Sequence, residues 1–260
     1  MTYKADLHNH LATFEHMPNF NKTLDIASKK LGKGGILGLV NGKDNRYEKF
    51  ISQKGYERQD FKNCIYVPEK DILVVKGQEV FTNQGHLLAY GLEERFNLEN
   101  SRNLEESLIS SKDNKALIIL PHPFFIDGLG PYLEKNKDLL NYFNGIEIFN
   151  GEALWGNKEA QEFYNKLKLE MAFGGHEIGA CSFSDGHSLY EIGNCCTPIT
   201  KLWKQNYNSA TGEEIIDSLK LAIAWNHDFS IGYKKNFSSL GFLDHSIKVL
   251  PLLLYEKLTH

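Results

Sequence analysis

Short apolar runs alternate with amphipathic stretches along most of this chain, and that alternation narrows the fold more than any other feature. The apolar runs read as strands: ADLHNH (5–10), GILGLVN (35–41), DILVVKGQEV (71–80), HLLAYGL (86–92), ALIILPHP (116–123), GIEIFNG (145–151), and a run through MAFGG and GACSFSD (171–185). Between them, TLDIASKKLG, LEESLISSKD, YLEKNKDLLNYF, KEAQEFYNKLKLE and EEIIDSLKLAIA carry helical spacing. Thr23 and Glu213 sit near helix starts, and Gly32 reads as a stop after Leu31. Strands separated by helices of about 10–15 residues indicate βα units and a mainly parallel sheet. Six or seven such units with no linker favour an α/β barrel, or a distorted one, over an open sheet.

The 260 residues, 42% of them hydrophobic, suffice for one large core. One domain over 1–260 is the expectation, with 199–260 completing the barrel and packing LDHSIKVLPLLLYEKL on the body. Segments 42–70 and 92–103 read as polar loops with short helices. The net charge of −4 gives no electrostatic footprint for nucleic acid, apart from a local basic patch near Lys201 and Lys204. No run approaches the roughly 20 apolar residues of a membrane span, and no cationic leader opens the chain. Cys64, Cys181, Cys195 and Cys196 fit reduced thiols, so a cytoplasmic protein is expected. Oligomeric state is left unassigned.

The chemistry lies in residues that interrupt or end the apolar runs. His8 and His10 are two apart, so in a strand they share a face and aim two imidazoles into one volume. Two buried histidines bonded to carbonyls are the plainer alternative. Glu79 is the first acid at the end of its run, where a surface carboxylate would also stand. His122 follows four apolar residues between two prolines. Glu147 alternates with Ile146 and Ile148, a costly place for a charge unless it is paired or bound to a cation. Asp185 and His187 end another strand. Together these converge on the strand ends where barrel enzymes build their sites. Imidazoles with carboxylates suit Zn, Mn or Fe, and so many candidates exceed one tetrahedral shell.

DLHNH, His16 six residues after His10, GQEV, the tripeptide PHP at 121–123, GIEIFNG, and SDGH followed by IGNCCTP run in order from residue 6 to about 198. This ordered set resembles the PHP (polymerase and histidinol phosphatase) family of metal-dependent phosphoesterases. The resemblance implies a distorted (β/α)7 TIM-like barrel with two or three divalent metal ions. His8, His10 and Asp185 would hold the first ion. Glu79 would bridge to a second on His122, with Glu147 on the strand that supplies another ligand there. His16 and His187 would hold a third. One departure stands out. Where the family ends its second strand with Thr-Asp-His, this chain has Val40, Asn41 and Gly42, then Lys43. The site is then binuclear, or Asp44 or Asn41 rescues the third ion, or Lys43 stands in as the cation.

His86 opens the strand after the bridging Glu and is expected to support the site from behind or to satisfy a turn. His176 precedes the SDGH strand and is expected to be a non-ligand, at most a support. Trp155 reads as packing, and His227, His245 and His260 as surface. The implied activity is hydrolysis of a small phosphorylated substrate, a monoester or a nucleotide or sugar phosphate. A metal-activated hydroxide would attack phosphorus, His187 or His16 would act as acid if the third site is empty, and Lys43 and Arg46 would bind the phosphate. Neither a membrane nor a nucleic-acid partner is expected. Two alternatives remain: an amidohydrolase acting on an amide or lactone, and a non-catalytic metal-binding remnant.

Overall fold

A computed structural model describes residues 2–11, 17–42, 45–92, 102–171, 177–200, 207 and 209–227. His16, Lys43, Asp44 and His176 lie outside the described residues, as do His245, His260 and the Leu-rich terminal segment.

The elements follow the apolar runs. Strand β1 (Thr2–Asp6) leads through helix α1 (Phe20–Leu31) to β2 (Gly35–Asn41) and helix α2 (Arg46–Ile51). A short arm of β3 (Gln59–Asp60) and β4 (Cys64–Val67) precedes the long β5 (Ile72–Thr82), which turns directly into β6 (Gly85–Tyr90). Then come α3 (Leu104–Asp113), β7 (Leu117–Leu120), α4 (Gly130–Leu133) and a 3-10 stretch (Lys137–Tyr142). Finally, β8 (Gly145–Asn150), α5 (Asn157–Met171), β9 (Gly179–Phe183), β10 (Thr197–Thr200) and α6 (Gly212–Ala224) complete the described chain.

The strands form one sheet in the order β10-β1-β2-β5-β6-β7-β8-β9, with β4 also paired to β5. Of the eight strands in that order six run parallel, while β6 and β10 run against them, and β4 runs against β5. The sheet curls until its ends meet. Asn9 bridges Gly186, and the His10 amide donates to the Gly186 carbonyl at 2.7 Å. The result is a distorted TIM-like barrel, as the sequence pattern indicates.

Period-two alternation sorts side chains to its two faces. Leu73 and Val75 of β5 point inward with Leu7, Leu88, Tyr90, Ile119 and Phe183. Ile72 and Val74 point outward onto Phe20, Leu24 and Leu31 of α1. On the opposite side Leu108, Phe163, Tyr164 and Leu167 cover β6, β7 and β8. The lumen is thus a packed plug. Its top is Tyr90, whose hydroxyl crosses to the Leu7 carbonyl at 3.0 Å. Two glycines allow that crossing. A Cβ at Gly77 would lie 2.5 Å from the Tyr90 ring, and one at Gly38 only 1.9 Å from the Leu7 carbonyl oxygen.

Some boundaries differ from the sequence reading. Helix α1 starts at Phe20 because Asn19 caps it, its side chain accepting from the Lys22 amide at 3.0 Å. Helix α6 starts from a reciprocal Thr211–Glu214 capping box. The YLEKNKDLLNYF stretch breaks into α4 and the 3-10 piece, because Glu134 to Asp138 contain no apolar side chain to anchor a continuous helix.

Candidate metal centre

The residues singled out at strand ends come together above the Tyr90 plug. His8 and His10 place their Nε2 atoms 3.1 Å apart. Asp185, just past β9, sets Oδ1 3.2 Å from His8 Nε2 and 3.5 Å from His10 Nε2. Glu79 reaches in from β5, with Oε2 3.1 Å from His10 Nε2 and Oε1 3.2 Å from His122 Nε2. Its Oε1 is also 3.1 Å from His86 Nδ1 and 3.8 Å from His8 Nε2. Three sets of ligand atoms lie within 4.8 Å of one another: His8, His10 and Asp185; His8, Glu79 and His122; Glu152, Asp185 and His187.

Burial makes this cluster electrostatically demanding. Desolvation pushes the His8 imidazole down, but the Asp185 and Glu147 carboxylates outweigh it and raise its pKa to about 10. Desolvation dominates at His10 and lowers it to about 4. Burial also opposes the charge on Glu79, yet the surrounding imidazoles, His86 foremost, hold its carboxyl well below the usual range. At His187, burial is outweighed by Glu152 and the pKa rises to about 9.

The donor set fits divalent cations. Two imidazole nitrogens converge on one point, the carboxylates around them are nearly dry, and buried His122 Nδ1 has no hydrogen-bond partner. Imidazole nitrogen mixed with carboxylate oxygen is a common transition-metal environment.

No family model matches the chain. Over 153 residues, 56% of its length, the chain is 28% identical to an uncharacterized protein of Methanocaldococcus jannaschii, and it spans 60% of that relative. Among solved structures it resembles PsfC from Pseudomonas syringae PB-5123, with a TM-score of 0.66, 15% identity, and 95% and 98% of the two chains covered. The lesion-specific endonuclease PfuEndoQ from Pyrococcus furiosus gives a TM-score of 0.57 at 17% identity, covering 86% of this chain and 56% of that one. A two-domain protein from Bacteroides vulgatus ATCC 8482, containing a predicted PHP-like metal-dependent phosphoesterase, gives 0.54 at 15% identity, covering 86% and 63%. This chain has a PHP-domain fold.

Within the PHP frame, the remaining sequence candidates take different places. Glu147 belongs to none of the three sets. Its Oε1 accepts from His8 Nδ1 at 2.9 Å, while Oε2 accepts from the His122 amide at 2.7 Å and from Asn150 Nδ2 at 2.9 Å. Asn41 turns away toward α2. Its Oδ1 accepts from the Tyr47 amide at 2.7 Å, and its Nδ2 donates to Glu48 at 2.9 Å. Glu48 in turn pairs at 2.6 Å with Lys76, a buried lysine on the outer face of β5. Arg46 donates to the His10 carbonyl at 3.3 Å. His227 lies elsewhere, bonded to Tyr164 and Glu177.

Glu152 is the ligand-type residue that sequence reasoning passed over. Its Oε2 lies 3.0 Å from His187 Nδ1. The only signal for it was an acid two residues past the GIEIFN strand, inside a turn where Asn150 Oδ1 accepts from the Glu152 and Ala153 amides. Trp155, just beyond, is 55% exposed and packs on Phe125 at 4.7 Å between ring centres.

Proposed function

We propose that this chain is a metal-dependent phosphoesterase whose preferred substrate is a small phosphate monoester. The observation that carries the reading is the sharing of His8 and Asp185 among three ligand sets at one mouth of a PHP-fold barrel. Divalent cations bound there would lower the pKa of water toward neutrality and neutralise charge on the phosphoryl oxygens. The chain's own residues hold the ligand atoms still. Glu147 fixes the His8 ring through Nδ1, so that Nε2 faces the mouth. Glu79 is placed to span the first and second positions, with His122 opposite and His86 beside it. With the third position empty, His187 at the rim, or His16, would donate a proton to the leaving oxygen. Arg46 and Lys43, from the segment after β2, would bring positive charge to the substrate phosphate, and His176 stays outside the ligand set.

Zn, Mn or Fe suits these donors. The buried, free thiols of all four cysteines agree with a reducing, cytoplasmic setting, and among the described residues no helix is long and apolar enough to cross a membrane. We read residues 1–260 as one domain. A second reading draws on the fold likeness to endonuclease Q, solved with a 27-mer duplex carrying an abasic lesion; it makes a nucleic-acid phosphodiester the substrate. The acidic net charge favours the small monoester.

The test is a panel of phosphorylated metabolites, beside an abasic-site duplex and amide and lactone controls. The protein is assayed after stripping and reloading with Mn, Zn or Fe. Turnover of a monoester that chelator abolishes is expected. Cleavage of the duplex alone would move the assignment to the diester, and turnover of neither phosphoester by any loaded form would overturn it.

A further inference from the structure

The structure assigns Glu152 as a ligand of a third cation, held with Asp185 and His187 across the mouth from β2. This inference rests on the metal-dependent reading above and deepens it. The resemblance leads one to look for a third-site imidazole after β2, but that strand supplies none: Asn41 has both ends of its amide engaged by Tyr47 and Glu48.

Across the mouth the geometry is different. Glu152 Oε2 and His187 Nδ1 are 3.0 Å apart. That is close to the separation of two ligands around one ion whose bonds are about 2.0–2.2 Å long. The same nitrogen is 3.0 Å from the Asp185 carbonyl oxygen, so a cation would take the place of the Nδ1 proton between them. A carboxylate oxygen of Asp185 completes a set within 4.8 Å. Asp185 also faces His8 and His10 through Oδ1, so it would bridge the first and third cations. The His187 ring stacks at 5.1 Å on that of His10, which makes the third set continuous with the first.

Both loops that carry these donors are built to hold position. Asn150 Oδ1 takes the amides of Glu152 and Ala153 at 3.0 and 2.9 Å. Glu191 Oε2 takes those of His187 and Ser188 at 2.9 and 2.8 Å. The side chains of Glu152 and His187 are 14% and 16% exposed, enough for an ion to enter from the mouth. Two carboxylates and one imidazole make this the most oxygen-rich of the three sets. It therefore leans toward harder cations such as Mn(II), relative to a site built on two imidazoles.

The experiment uses the full chain, stripped with chelator and titrated with Mn(II) and separately with Zn(II). Stoichiometry is read by elemental analysis after desalting and affinity by calorimetry. Three equivalents of Mn(II) are expected in the parent protein. Glu152→Gln should lose one equivalent and keep the others, while the stripped protein stays folded and melts lower at neutral pH because the His187 imidazole loses its carboxylate partner. Glu152→His, which also serves if Glu152→Gln fails to fold, should recover the lost equivalent with its preference shifted from Mn(II) to Zn(II). A residue that only steered His187 would weaken binding by roughly 10–100-fold without that exchange of preference. Equal stoichiometry in parent and Glu152→Gln, at two or at three equivalents, would overturn the inference while leaving the phosphoesterase reading intact. No bound cation in the parent would sink that reading itself.

Discussion

Replacing Glu147 with glutamine tests how the centre is held together. The carboxylate accepts three hydrogen bonds, one on Oε1 from His8 and two on Oε2 from the His122 amide and Asn150. An amide has one accepting end and one donating end, so it cannot receive all three. If its NH2 takes the Oε2 place, two buried donors face a third, at about 1–3 kcal/mol for each donor left unsatisfied. The stripped protein should then be about 3 kcal/mol less stable. For a chain of this size that lowers the melting temperature by roughly 6–12 °C. If the amide flips, the NH2 donates to His8 Nδ1, and the ring gives up its Nδ1 proton while keeping the one on Nε2. The fold is then nearly spared, but Nε2 can no longer ligate until that proton leaves, and cation affinity should fall by roughly 10–100-fold. Thermal melts of stripped Glu147→Gln, with Mn(II) calorimetry on the same sample, separate the two outcomes. A variant whose stability and affinities both match the parent would refute the reasoning. Loss of one whole equivalent with the other affinities unchanged would make Glu147 a ligand.

Three further outcomes are expected. In chelator, His8 and His187 are raised from 6.5 to about 10 and about 9. Their contribution is therefore fully present below about pH 6.5 and is lost as pH rises through about 9–10. Loaded with Mn(II), which competes with those protons, the protein should instead gain stability over the same range, and denaturant midpoints with and without chelator should show opposite slopes. Lys76→Met removes the partner of Glu48 and should cost about 2 kcal/mol, below the range for a fully buried pair because Glu48 is a quarter exposed; adding Glu48→Gln should recover part of that loss in a denaturation series. Gly38→Ala drives a methyl into the Leu7 carbonyl and should destabilise by at least about 3 kcal/mol, visible as a collapse of soluble yield, whereas Gly32→Ala has open space and only its positive φ to oppose it.

The barrel was legible because its strands are buried on both faces and so read as unbroken apolar runs. The ligand-type residues were legible because they are the polar groups that end or interrupt those runs, as at Glu79, His122 and Asp185. What the pattern hid is distance. Glu147 announced itself as a buried acid, but spacing could not tell a cation from the imidazole, amide and side-chain nitrogen that surround it. Lys76 sat unremarked in DILVVKGQEV because its partner Glu48 comes from a separate helix. The β5–β6 hairpin was present as a two-residue Asn83-Gln84 connection, too short for a crossover helix, and it makes one stave antiparallel. Glu152 had neither period nor burial to mark it, since it lies in a loop whose position only the β8 and β9 ends define.

Backbone strain points to the same organiser. His122 and Asp185 hold φ at +25° and +53°, conformations that non-glycine residues rarely adopt and that cost of order 1–3 kcal/mol each. Both are held by the end of β8: the His122 amide by Glu147, and the Asp185 carboxylate by Asn150 at 3.0 Å. Asn150 also bonds Glu147, and Glu147 fixes His8. Three ligand-type residues from three different strand ends are thus referred to two neighbouring side chains on one strand. Such an arrangement keeps its geometry before any cation arrives, because the forces that bend His122 and Asp185 inward come from the protein itself. Asn150→Ala should therefore release Asp185 and loosen the Glu152 turn while leaving every proposed ligand atom in the chain, and it should weaken both the first and the third cation, the two that share Asp185.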